Sequence, residues 1–376
     1  MKIIVDENIT LAVEAFSNFG EVFTYPGREI TNSILKDADV LVVRSITNVN
    51  EDLLRNTKVE FVGTATIGFD HIDVNYLEEN NIYFTTAIGC NSYAVAEYVM
   101  SSISYFCQNH NFSLKNKSIG IVGYGNIGKI VARFSKILGL NVLVNDPPLE
   151  RNNFNYKFSS LEEVLNCDII TLHVPLNLDG PDKTVHLLNE KNINKIKSGS
   201  IVINSCRGPV VDNTALKNRL IDKKDLFTVF DVWENEPNAD LEFLSLVNLA
   251  TAHIAGYSYE GKINGTKIIA DKLNSFLKSN INWQPPENLV IDNLIKINSF
   301  ESEQFLHSVF NKCYDIKTDS EMLKNHNCET EKNFIGYFDK LRKTYQLRRE
   351  LLNYKYDRVI DKERKEKLDE FRINHI

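Results

Sequence analysis

The chain has 376 residues, 43% of them apolar, and a formal net charge of −7. That length calls for two or three domains with full cores, and an acidic balance gives no overall surplus of cations for a nucleic acid's phosphates. No window approaches the roughly 18 consecutive apolar residues that span a bilayer. The six cysteines (Cys90, Cys107, Cys167, Cys206, Cys313 and Cys328) form no CxxC pair, which argues against a metal site or disulfide framework and for the reducing cytoplasm.

The opening Met1-Lys2-Ile3-Ile4-Val5-Asp6-Glu7 reads as a strand with an acidic end, not as a secretory leader. Short apolar runs follow at Val22–Tyr25, Val40–Val43, Phe61–Val62 and Ile82–Phe84. Between them lie stretches with helical spacing, such as Leu11, Ala15 and Phe19. This is the pattern of a parallel sheet covered by helices. Ser92 to about Cys107 is apolar nearly all round, so it is expected to be one long buried helix. A second β/α series has strands at Ile119–Val122, Val142–Val144, Ile169–Val174, Ile201–Ile203, Thr228–Phe230 and Leu249–Ala252. A helix over Lys262–Leu277 and a linker at Trp283-Gln284-Pro285-Pro286 precede a third unit. That unit has a helix near Glu303–Tyr314, a basic one over Phe334–Tyr354, and a charge-dense tail from Asp357 that is expected to fray. Apolar runs such as Phe305-Leu306 and Val309-Phe310 need something to cover them.

The string Gly123-Tyr124-Gly125-Asn126-Ile127-Gly128 lies between a strand and a helix. There the first glycine permits a tight turn, the second lets backbone approach a pyrophosphate, and the third lets helix and strand pack closely. The helix N-terminus adds free N–H groups for the phosphates. Asp146, at the end of the next strand, can accept hydrogen bonds from a ribose and repel a 2′-phosphate, which favours NAD over NADP. The competing reading of Asp146 is a local cap.

Arg207, Glu236 and His253 each follow an apolar run closely. In a doubly wound sheet, ligands gather beyond the carboxyl ends of strands. Removing a hydride from a carbon that bears a hydroxyl needs a base for the hydroxyl proton and a grip on the substrate. His253 suits the first need and the fork of Arg207 the second, while Glu236 can orient and charge the imidazole. Against this, Glu236 sits beside Glu234 and could be a solvated loop acid, and His173 is a rival proton carrier. Asp231, at another strand end, is placed to meet the cofactor's carboxamide. Arg44-Ser45 and Thr66-Ile67-Gly68 also follow strands and could meet an anion, or could simply cap turns.

These residues resemble the D-isomer-specific 2-hydroxyacid dehydrogenases, whose arginine, glutamate and histidine occupy the three motif positions. The resemblance is carried further by Val5-Asp6-Glu7-Asn8, Val42-Val43-Arg44-Ser45, Phe61-Val62-Gly63-Thr64-Ala65-Thr66, Gly89-Cys90-Asn91, Asp146-Pro147-Pro148, Cys206-Arg207-Gly208, His253-Ile254-Ala255-Gly256-Tyr257 and Phe338-Asp339-Lys340-Leu341-Arg342-Lys343. It spans nearly the whole chain, weakens after about Tyr354, and is closest to a branch with an added C-terminal unit. It implies an α/β fold of two doubly wound parallel-sheet domains plus a smaller α+β unit. A flavodoxin-like substrate domain (1–92 with 257–285) is split around a Rossmann NAD domain (93–256), and 286–376 forms a dimerisation domain. It implies a phosphorylated 2-hydroxy acid as substrate, with His253 as proton carrier and Arg207 and Glu236 assisting. It implies substrate contacts at Ser45, Thr66 and Tyr257, and cofactor contacts at Asn126, Ile127, Asp146, Val174, Cys206, Asp231 and Gly256. Arg44 is the candidate second cation for such a substrate, and the basic run Lys340, Arg342, Lys343, Arg348 and Arg349 is another source, though such a helix face is more often solvated. Other dehydrogenases of the class, and an NAD-sensing protein without turnover, remain as alternatives.

Overall fold

The computed structural model describes residues 1–286, 293–326, 331–346, 348–356 and 361–375. They form two compact units, Met1–Asn91 with Ser258–Ile291 and Ser92–Tyr257 with Asp292–Ile376.

The first unit holds five parallel strands, β1 (Lys2–Asp6), β2 (Glu21–Tyr25), β3 (Val40–Val43), β4 (Phe61–Thr64) and β5 (Tyr83–Thr86), in the order β2-β1-β3-β4-β5. The order reverses beside β1, as in flavodoxin-like sheets. β3 and β4 are buried along their whole length, which explains their unbroken apolar runs: a parallel strand covered on both faces has no polar side to show. One face packs Ile3, Val5, Val40, Val42 and Phe61 against Ile269, Ala270 and Leu273 of the helix Tyr259–Phe276. The other packs Ile4, Leu41, Val43 and Val62 against Leu35, Leu54 and Leu77.

The second unit has six parallel strands, β6 (Ser118–Val122), β7 (Asn141–Asn145), β8 (Ile169–Leu172), β9 (Ile201–Asn204), β10 (Phe227–Phe230) and β11 (Leu249–Ala250), ordered β11-β10-β9-β8-β6-β7. Beyond β7 the chain only touches the sheet edge, where Ser159 N donates to Val144 O (2.7 Å) and Asn145 Nδ2 donates to Ser159 O (2.8 Å). β8 and β11 stop two residues earlier than the apolar runs led us to expect. At β11 the cause is His253, whose φ of 56° breaks the extended backbone. The long helix runs Ser92–Asn109 and is buried nearly all round.

The C-terminal elements belong to this second unit. Phe305, Leu306, Val309 and Phe310, on the helix Ser302–Cys313, share one core with Tyr98, Val99, Ile103 and Phe106 of the long helix. The apolar runs that seemed to need a cover are therefore covered within this chain. The basic segment also departs from expectation. Its helix, Glu331–Lys343, ends eleven residues short of Tyr354, and the chain then turns inward to bury Arg348. The tail holds a helix, Lys362–Glu370, capped by Asp361, and Leu368, Phe371 and Ile373 are buried, with Phe371 stacked 4.4 Å from Phe134. Its charges occupy the outer side of the helix and hid these three anchors from a reading by composition; residues 357–360 lie outside the described ones. No helix among the described residues is long and apolar enough to cross a membrane.

Candidate active site

The loop after β6 tests the three glycines separately. Gly123 has φ 96°, and a Cβ there would lie 2.6 Å from His173 O. A Cβ at Gly128 would lie 2.0 Å from Gly123 O, so the helix Asn126–Ile137 can approach the turn only without one. A Cβ on Gly125 would meet nothing within 4 Å. The turn and the packing thus use up the first and third glycines, while the second faces open space at a helix N-terminus. That geometry fits a pyrophosphate. Asp146 does two local jobs. Its Oδ2 accepts from Tyr124 N (2.7 Å), which fastens the loop, and its Oδ1 accepts from Leu149 N (3.0 Å), which caps the helix Pro147–Arg151. Each carboxylate oxygen retains a lone pair for a further donor.

Strand order brings Arg207, Glu236 and His253 to the same sheet edge, because β9, β10 and β11 are neighbours and each residue follows one of them. Asn204 shapes the first loop: its Oδ1 accepts from Cys206 N (3.2 Å) and its Nδ2 donates to Arg207 O (3.0 Å). Gly208 then passes so close to the next loop that a Cβ would fall 2.0 Å from the Trp233 carbonyl. The Cys206 thiol is buried, which pushes it up to about 11 and keeps it protonated at neutral pH.

Glu236 and its neighbour Glu234 part ways. Glu234 reaches His186 Nε2 (2.5 Å) and Asn213 N (3.3 Å). Glu236 accepts from Trp233 N through Oε1 (2.7 Å) and meets His253 Nδ1 through Oε2 (2.7 Å). Burial pushes the Glu236 carboxyl up, but the His253 and Arg342 charges and the donors from His253 and Trp233 outweigh it and hold the group below the usual carboxylate range. An ionised Glu236 fixes the imidazole with Nδ1 toward the carboxylate, which leaves Nε2 to exchange a proton. The ring remains 35% exposed, enough for a ligand to reach it. His173 is unsuited to proton exchange, because burial lowers it to about 3 and its Nε2 lies 2.9 Å from Thr171 Oγ1.

The His253 loop is held from two sides by residues whose part the sequence did not reveal. Buried Asp231 takes His253 N on its backbone O (2.7 Å), Thr251 Oγ1 and Ile254 N on Oδ1 (2.6 and 2.7 Å), and Ala255 N on Oδ2 (2.9 Å). We expected Asp231 at a cofactor contact; its carboxylate also carries this loop. Tyr98 OH adds a 2.8 Å bond to Thr251 Oγ1, and Trp233 Nε1 donates to Thr251 O (3.0 Å). From the other side, Arg348 donates to the carbonyls of Ala94 (2.9 Å), Ile254 (3.2 Å) and Ala255. No local pattern marks these residues, since their partners lie tens to hundreds of positions away.

Tyr257, just past that loop, has its ring 5.8 Å from Tyr345, with the Arg342 guanidinium 5.9 Å from its centroid. Val174 sits beside the glycine turn, its Cγ1 3.0 Å from where a Gly123 Cβ would be. In the first unit, Ser45 is exposed after β3, and Arg44 Nε binds the buried Asp6 (3.2 Å). Thr66 Oγ1 donates to Gly68 O (2.9 Å) and lies 2.7 Å from Thr64 Oγ1, which in turn meets His71 Nε2 (3.1 Å). Arg44, Ser45 and Thr66 thus follow the adjacent strands β3 and β4.

A parallel sheet with a glycine turn at a helix N-terminus, and an acid–histidine pair one strand from an arginine, defines a nicotinamide-dependent dehydrogenase of hydroxy acids. The sequence model described as "D-isomer specific 2-hydroxyacid dehydrogenase, NAD binding domain" matches residues 97–255, and the chain belongs to that family of NAD-dependent enzymes. Within it, the chain is 44% identical to the erythronate-4-phosphate dehydrogenase of Hahella chejuensis, over 93% of this chain and 92% of that one. It is 41% identical to the erythronate-4-phosphate dehydrogenase of Klebsiella pneumoniae, with the same coverage of each. Among solved structures, it resembles D-lactate dehydrogenase from Aquifex aeolicus complexed with NAD and lactic acid, at TM-score 0.59 and 26% identity, over 74% of this chain and 96% of that one. It also resembles NAD-bound 3-phosphoglycerate dehydrogenase from Entamoeba histolytica, at TM-score 0.63 and 25% identity, over 75% and 96%.

Proposed function

We propose that this chain oxidises 4-phospho-D-erythronate to 2-oxo-3-hydroxy-4-phosphobutanoate, with NAD as hydride acceptor, in the formation of vitamin B6. The observation that carries the reading is the His253–Glu236 pair (2.7 Å) on the sheet edge that also bears Arg207. Its support in the comparisons is the 44% identity to an erythronate-4-phosphate dehydrogenase over nearly the whole chain.

The nicotinamide of NAD would supply the hydride acceptor for C2. His253, through Nε2, takes the C2 hydroxyl proton as the carbonyl forms, and Glu236 offsets the charge that appears on the ring. Arg207 grips the substrate carboxylate and fixes C2 in place. Ser45, Thr66, Tyr257 and Arg44 are assigned to the remaining substrate oxygens. Gly123, Gly125, Asn126, Ile127 and Gly128 would cradle the pyrophosphate, Asp146 the ribose, and Val174, Cys206, Asp231 and Gly256 the nicotinamide end. A cytoplasmic setting accords with the five described cysteines, all of them free thiols. Pairing of two chains through the C-terminal segment is carried by the family resemblance alone, since the apolar runs there are covered in cis; sedimentation would test it.

The function is tested by following NADH absorbance with 4-phospho-D-erythronate, 3-phosphoglycerate, glycerate and lactate. The first substrate is expected to give the highest kcat/KM by at least a hundredfold. Equal or faster turnover of 3-phosphoglycerate would move the chain to another branch, and no turnover of any would favour an NAD-sensing protein.

A further inference from the structure

The C-terminal segment places one more cation at the His253–Glu236 pair. Arg342 lies in the last turn of the helix Glu331–Lys343. Its guanidinium lies 5.9 Å from the centroid of the Tyr257 ring, and its charge acts on Glu236. The group is half-buried, and its Nε is enclosed with no hydrogen-bond partner. The groups whose charge or hydroxyl bears on it are Tyr257, Glu236 and Asp339.

An enclosed N–H that no acceptor meets is costly in a finished structure, and a guanidinium presents five donors in a planar fork that matches a phosphoryl group. Its position also distinguishes it from the other cations. Arg207 follows β9 and is assigned to the carboxylate, and Arg44 already spends its Nε on buried Asp6. Arg342 sits beside Tyr257, itself assigned to the substrate. The NAD-binding domain common to the family is matched by residues 97–255, and Arg342 lies well beyond it. A residue outside that shared domain fits substrate choice better than hydride transfer.

We propose that Arg342 is a substrate-binding residue that takes the phosphoryl group and, with Tyr257, sets the preference for a phosphorylated hydroxy acid. The inference rests on the function proposed above. Two steady-state substrates test it, 4-phospho-D-erythronate and D-erythronate, which share the carboxylate and the C2 centre and differ in the phosphate. Arg342→Met is expected to lose about a hundredfold in kcat/KM on the phosphorylated substrate, mostly through KM. The ratio between the two substrates should fall at least tenfold. Arg342→Lys, which keeps the charge without the fork, should fall between the wild type and Arg342→Met, and it replaces that variant if Met at this position disturbs folding. Equal losses on both substrates, or none on either, would overturn the proposal and leave Arg342 with a structural or electrostatic role through Glu236. Failure of the wild type to prefer the phosphorylated acid would instead overturn the function it rests on.

Discussion

At the carboxyl ends of β3 and β4, polar side chains are held by one or two bonds each: Arg44 by Asp6, Thr66 by Gly68 and Thr64, while Ser45 stands exposed. At the ends of β10 and β11 the arrangement is denser. Four protein donors converge on Asp231, Arg348 closes on three carbonyls, and Glu236 is held by Trp233 before it holds His253. Proton transfer tolerates little error in position, because misplacement of the base by an ångström removes most of its effect. Anion binding is more forgiving, since charge acts over distance and side chains can adjust. The two edges differ as those two demands differ, so substitutions at the second edge should cost more than those at the first.

The largest effect is expected at His253. His253→Ala should lower turnover by about 10²–10⁴-fold, the usual worth of a general base, while NADH binding, read by fluorescence, stays within about threefold. Comparable loss of both would mean that the left-handed turn at this position, not the imidazole, had been removed.

Glu236→Gln comes next, with a loss of roughly tenfold to a hundredfold in kcat/KM for oxidation. The pH profile carries the sharper reading. Glu236 is held below the usual carboxylate range, so it stays ionised and paired with His253 until pH falls through that lowered value, and only there should the pair's contribution to kcat/KM be lost. Glu236→Gln has no carboxyl to protonate, so that part of the acid loss should be missing from its profile. An unchanged profile would show that the charge of the pair plays no part in the rate.

The same contrast explains what could be read from the sequence. Arg207, Glu236 and His253 were legible because each falls in the short loop after an apolar strand, and strand ends in such sheets gather ligands. The glycine turn was legible because its spacing falls between a strand and a helix, with the first and third glycines needed for the turn and its packing and the second left open. What supports them was not. Arg348 meets Ala94 across 254 positions, and nothing beside Arg348 in the chain distinguishes a buried clamp from a solvated arginine. Glu234 and Glu236 are both acids in one short loop, and only the fold sends one to His186 and the other to His253. The C-terminal tail misled for a simpler reason: Leu368, Phe371 and Ile373 are three anchors in a strongly charged stretch, enough to fix a short helix against Phe134 and its neighbours yet too few to dominate its composition.

The smallest effect should come from the first edge. Ser45 is exposed, so Ser45→Ala removes no packing and is expected to leave the melting temperature within about a degree, as for a surface change away from special features. If its hydroxyl meets a substrate oxygen, the loss is that of one hydrogen bond, about 0.5–1.5 kcal/mol, or roughly threefold to tenfold in kcat/KM. It should appear as a higher KM with kcat nearly unchanged, because a contact made equally in ground state and transition state does not alter the chemical step. A drop in kcat as large as that from Glu236→Gln would erase the distinction between the two edges. It would place Ser45 among the groups that position C2 for reaction, and the looser bonding around β3 would then have to be read as an edge that tightens only when substrate arrives.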